Sequence, residues 1–181
     1  PGAGNVAVAQ MALVAGDHGQ GLLLQVKMEK VHQQLNAGPS HRLHQLLHRE
    51  VIEMDACIAQ KEGMSIQEIF AQKGEPYFRS CETALLESFT AGAPRIVSCG
   101  GGVPMREENV AAMRRCGTIV LLTARPEVIL GRVEHDHSRP LLEGHKDVPY
   151  ISALMKQRRP KYEAAADITV DTSDRTIEEV C

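Results

Sequence analysis

Gly100-Gly101-Gly102 closes the short apolar run "RIVSC". A strand that ends in three glycines needs backbone angles that side chains forbid, or the close approach of a ligand. Upstream, Glu53 and Asp55 stand one residue apart at the end of "VIEMD". Two spaced carboxylates beside a glycine floor suit a metal ion and a hydroxyl substrate. Arginines recur in the segments that could close over these groups, and a guanidinium fork binds two oxygens of a carboxylate or phosphate at once. Phosphoryl transfer is the chemistry this set suggests. A further stretch, "GDHGQGLLLQV", has the glycine spacing of a phosphate loop in Gly16, Gly19 and Gly21, but Leu22 and Leu23 stand where such a loop needs Lys and Ser or Thr.

The elements that must position these residues alternate. "VIEMD" reads as a strand; "MSIQEIFAQKG" is a helix with Ser65 and Glu68 in capping-box spacing, Met64 and Ile69 placed for a staple, and Gly74 as its stop. A second helix runs from Pro76 to Ala91, and "RIVSC" is a strand. "REENVAAMRRCG" is a helix stopped by Gly117, "TIVLLT" a buried strand, and "PEVILGRV" a helix with Pro126 at its start. A polar stretch from Glu134 to Val148 precedes a helix from Tyr150 to Ala164, the strand "DITVDT" and a last short helix. This alternation predicts an α/β protein, three layers around a central parallel sheet, in which ligands sit beyond the carboxyl ends of the strands.

Before residue 50 the pattern changes: there is no Ile, Phe, Tyr or Trp, and five of the eight histidines lie there. "VAVAQMALVAG" reads as a strand, "LLLQVKMEKVHQQL" as a helix, and "HRLHQLLHRE" as another helix capped by Ser40. His41, His44 and His48 share one helical face by spacing; a solvated face is the simpler reading than a metal site, as it is for His135 and His137 in "EHDH".

Composition bounds the rest. At 181 residues the chain has one core, hence a single domain. The 20 Lys and Arg against 23 Asp and Glu give a net charge of -3 without a basic run, which argues against nucleic acid and for small-molecule ligands. Five cysteines without a C-x-x-C fit neither a disulfide framework nor a structural zinc site, and no apolar run is long enough for a membrane span. Together these features predict a cytoplasmic protein; a monomer is the expectation, although no feature of the sequence reports the oligomeric state. Cys99 reads as a small buried hydrophobe.

From about Arg42 to Cys181 the chain resembles shikimate kinase, through "EMDACI", "EGMSIQEIF", "GEPYFRSCE", "SCGGGV", "REEN", "SRPLL", "RRPKY" and "ADITVDT" in order. The resemblance implies the P-loop nucleoside-monophosphate-kinase fold and ATP-dependent phosphorylation of the shikimate 3-hydroxyl with magnesium, a step of chorismate and aromatic amino acid biosynthesis. It makes Asp55 the residue that accepts hydrogen bonds from substrate hydroxyls and the candidate base, and puts Glu53 near magnesium. Arg79 and Arg158 match the clamp on the shikimate carboxylate, and Gly100, Gly101 and Gly102 match the backbone beneath the ring. Arg139 matches the lid arginine that reaches the transferred phosphate, within a lid at 134–148. Arg132 and Arg175 match positions along adenine and phosphates.

The family's Walker A loop would place its phosphate cradle at Gly16, Gly19 and Gly21. Counted back from Asp55 at family spacing, however, the loop belongs near "QQLNAGPS", residues 33 to 40, where no such pattern exists. "PGAGN" echoes the glycines but has Asn5 for Lys. Three explanations are open: residues 1–41 are an atypical segment from a frameshifted or rearranged gene; the loop is degenerate in a non-catalytic shikimate-binding homologue; or glycines and arginines still bind ATP and turn over slowly.

Overall fold

A computed structural model of the chain describes residues 10–15, 39–90, 94–133 and 147–181. Among these residues five strands, β1 (Gln10–Ala15), β2 (Glu50–Glu53), β3 (Arg95–Cys99), β4 (Gly117–Thr123) and β5 (Ile168–Asp171), form one sheet in the order β2-β3-β1-β4-β5. The pairs β2–β3 and β4–β5 are parallel, as the alternation predicts. The central strand departs from it. β1 runs antiparallel to both neighbours, with Met11 opposite Cys99 and Val14 opposite Ile96 on one side, Gln10 opposite Leu122 and Ala15 opposite Gly117 on the other. An apolar run carries no direction of its own, and either polarity gives its backbone a full ladder on both sides.

The helices that cover the sheet, among the described residues, are α1 (Pro39–Leu47), α2 (Met54–Glu62), α3 (Ile66–Glu87), α4 (Glu107–Cys116), α5 (Pro126–Val133), α6 (Val148–Ala165) and α7 (Ile177–Val180). Val97, Cys99, Ile119 and Leu121 point to one face, where Met54, Leu86, Ala112, Met113, Tyr162 and Ala165 close the main core over them. On the other face α1 lies against β2 and β3 and meets α7. The result is a three-layer α/β/α fold.

Local chemistry sets the helix ends. Ser65 accepts from the Glu68 amide at 3.2 Å while Glu68 accepts from the Ser65 amide at 2.8 Å, a complete capping box. Gly74, at φ 81 and ψ 167, interrupts α3 just before Pro76, where the sequence predicts a stop. The two halves of α3 hold together through Ile58, Ile69 and Phe78, with Phe70 and Phe78 rings 4.8 Å apart. Helix α1 begins at Pro39, one residue ahead of the predicted cap Ser40, and gives way at His48, whose φ of 50 lies in the left-handed region.

Candidate active site

The carboxyl ends of β2 and β3 lie side by side, because Glu53 is registered with Ser98. The segments that leave these two strands therefore meet at one edge. After β2 the chain turns directly into α2, so Asp55 stands in the first turn of a helix and not on a strand end. That is a favourable place for a carboxylate, because the helix N-terminus carries partial positive charge. Glu53 itself is half-buried. Burial pushes its carboxyl above the ordinary range and the charge of Asp55 adds to this, while a hydrogen bond from Ser98 partly offsets both.

After β3 come the glycines, and all three of their carbonyls are occupied. The Gly100 carbonyl accepts from the Val103 amide at 3.1 Å, and that of Gly102 from the Met105 amide at 3.1 Å, through the 3-10 turn Val103–Met105. The Gly101 carbonyl accepts from the Tyr162 hydroxyl at 2.8 Å. Gly101 and Gly102 are buried. The buried Cys99 thiol just before them is pushed up first by burial and then by the charges of Glu82, Asp55 and Glu53, so it stays a neutral, buried side chain, as the sequence predicts.

Two arginines stand on α3 and α6, the helices that pack on the turn after the glycines. Arg79 is held between acidic residues of its own helix, 2.8 Å from Glu75 and 2.9 Å from Glu82. Burial works against its charge, yet Glu82 and Glu75 outweigh it and hold the guanidinium protonated. Arg158 is buried at 8 % exposure and donates to the phenol oxygen of Tyr162 one turn later. Glu53, Asp55 and Gly100 to Gly102 thus stand at the carboxyl ends of β2 and β3, and the helices that carry Arg79 and Arg158, α3 and α6, both pack on the turn that follows the glycines.

Several groups there went unread in the sequence. Glu82 is completely buried against Arg79; its signal was the three-residue helical spacing inside "FRSCE". Tyr162 follows Arg158 by four residues in the same way. Buried Asn109 donates to the Val103 carbonyl at 3.0 Å and accepts from Thr83 at 2.7 Å, which ties the turn after the glycines to α3. Nothing short of the tertiary structure signals that link.

The nucleotide side is different. Arg139 and most of the predicted lid lie outside the described residues, as do Gly16, Gly19 and Gly21. Arg132 turns its fork on the protein, donating to the Thr172 hydroxyl at 2.9 Å and the Thr172 carbonyl at 2.8 Å. Arg175 is exposed between β5 and α7. Ala15, the residue before Gly16, is registered with Gly117 at the amino end of β4, the far end of the sheet from the glycine floor. No Gly-Lys pair occurs anywhere in the sequence. The described residues therefore do not make a triphosphate cradle beside Asp55. The three histidines expected on one face of α1 do not form a cluster: His48 lies beyond the helix, and among the described residues no group of three His, Cys, Asp or Glu is poised to hold a metal.

The family model for shikimate kinase matches residues 39–181. A shikimate kinase of Dehalococcoides mccartyi is 37 % identical over 142 residues, which is 78 % of this chain and 80 % of that one. That of Caldanaerobacter subterraneus is 40 % identical over 134 residues, 74 % of this chain and 78 % of its own. Among solved structures, a shikimate kinase from Acinetobacter baumannii in complex with shikimate superposes with a TM-score of 0.71 at 31 % identity, covering 78 % of this chain and 79 % of that one. The enzyme of Aquifex aeolicus gives 0.66 at 33 % identity, covering 78 % and 82 %.

Proposed function

Because the chain belongs to the shikimate kinase family, we propose that its site takes shikimate and is arranged for ATP-dependent phosphorylation of the 3-hydroxyl. The observation that carries this is that the helices bearing Arg79 and Arg158 both pack on the turn after the glycine floor, at the sheet edge where Asp55 opens α2. A carboxylate needs a fork, a ring needs a floor without side chains, and a hydroxyl needs an acceptor for its proton. Arg79 and Arg158 meet the carboxylate, Gly100 to Gly102 lie beneath the ring, and Asp55 orients the hydroxyl and takes its proton. Glu53, the family's counterpart of an acidic residue near magnesium, would be the carboxylate available to that ion, and a bound cation would offset the burial that raises its affinity for a proton. ATP supplies the phosphoryl group in this family, but the described residues on the phosphate side do not fit a triphosphate.

That misfit favours a second reading, shikimate binding without transfer. The direction of β1 and the missing Gly-Lys pair support it. Isothermal titration with shikimate and, separately, with Mg-ATP, followed by a coupled kinase assay, decides between the two. Binding of both with turnover supports the first reading and removes the second. Binding of shikimate alone supports the second, and no binding of shikimate sinks both.

A further inference from the structure

One hydroxyl joins the two halves of the acceptor site. Tyr162 is 4 % exposed, and its ring belongs to the main core with Val103, Ala165 and the inward residues of β3 and β4. Its oxygen accepts from Arg158 and donates at 2.8 Å to the Gly101 carbonyl. A trans peptide points its carbonyl and the following amide in opposite directions, so fixing the Gly101 carbonyl also fixes where the Gly102 amide aims. Glycine has no side chain to hold such a plane, and Gly101 is the member of the triplet whose carbonyl is held from outside the turn. We infer that Tyr162 is a positioning residue, which sets the distance and angle between the Arg158 fork and the glycine floor. This inference rests on the proposed shikimate site for its purpose, but not for its geometry.

Both bonds share one hydroxyl, so its loss removes them together. Neither helix α6 nor the turn need move for the relation to be lost; removal of one atom suffices. Lys161, the neighbouring residue, anchors α6 to the turn separately by donating to the Met105 carbonyl at 2.9 Å. Tyr162→Phe therefore leaves the helix docked and the ring packed while uncoupling the fork from the floor.

Two measurements test this on wild type and Tyr162→Phe. The first is hydrogen exchange without ligand. The Val103 and Met105 amides, bonded to the Gly100 and Gly102 carbonyls, are expected to exchange about tenfold faster in the variant, with Leu86 in α3 serving as control. Exchange that is unchanged, or accelerated equally at Leu86, overturns the inference. The second is titration with shikimate and with cyclohexene-1-carboxylate, which has the carboxylate but no ring hydroxyls. Shikimate affinity is expected to fall by about tenfold or more, and affinity for the stripped ligand by much less. Equal losses for both ligands overturn the inference. Should wild type not bind shikimate, the acceptor assignment fails, while the exchange experiment still decides whether Tyr162 holds the floor.

Discussion

A buried carboxyl whose proton is held more tightly in the folded chain than in the unfolded one ties stability to pH, and Glu53 is such a group. Its folded value lies above the ordinary 4.5, so its contribution is fully present while it is protonated. As pH rises from about 4.5 through the raised value, the folded state must give up that proton and stability falls. Glu53→Gln removes this decline, and the two proteins diverge in urea midpoint as pH increases; parallel curves from about pH 4 to 8 contradict the assignment. Arg79 presents the opposite problem. Replacing it with Ala leaves Glu82 buried with its ion-pair partner gone, so Arg79→Ala is expected to lose about 3 to 5 kcal/mol of stability as well as shikimate affinity. It is therefore not a silent probe of carboxylate binding. Arg79→Lys keeps the charge and loses the fork, so it is expected to fold normally and bind shikimate more weakly; a thermal melt and a titration on both variants check this.

At the scale of elements, the legible features obey local rules. The box of Ser65 and Glu68, the break at Gly74, the strand "RIVSC" and the helix from Pro126 are written in residues that act within one turn of themselves. Asp55 and the glycines were readable because they follow strand ends, whereas Arg79 and Arg158 were readable because a family resemblance names them. Asn109, by contrast, acts through partners far along the chain, and Glu82 and Tyr162 gain their roles only when burial makes their neighbours matter. The end of α1 shows a local rule broken. His48 occupies a left-handed position that suits glycine, where a side chain is sterically disfavoured. His48→Gly is expected to raise stability by about 0.5 to 1 kcal/mol, read from the urea midpoint; a loss of stability contradicts the role of that backbone angle.

For the whole molecule the direction of β1 decides most. Sequence could not supply it, because a strand inside a sheet pairs either way, and only its neighbours' register chooses. The pairing of Val14 with Thr118 makes it testable. Directly opposed residues lie about 4.5 to 5.5 Å apart, within reach of a disulfide, so Val14→Cys with Thr118→Cys is expected to cross-link under mild oxidation. A parallel β1 puts Val14 toward the other end of the sheet, and the pair then stays reduced; non-reducing electrophoresis and mass spectrometry separate the outcomes.

The same strand has a consequence in time. β1 is the strand that joins the pair β2–β3 to the pair β4–β5. It leaves the ribosome before the other four, and its partners in β4 come roughly a hundred residues later, about 5 to 20 s at ordinary rates of synthesis. Through most of that interval the segment that will lie at the middle of the sheet lacks one or both of its neighbours. The growing chain thus carries the middle strand of its sheet as an incompletely paired, apolar stretch until β4 has emerged.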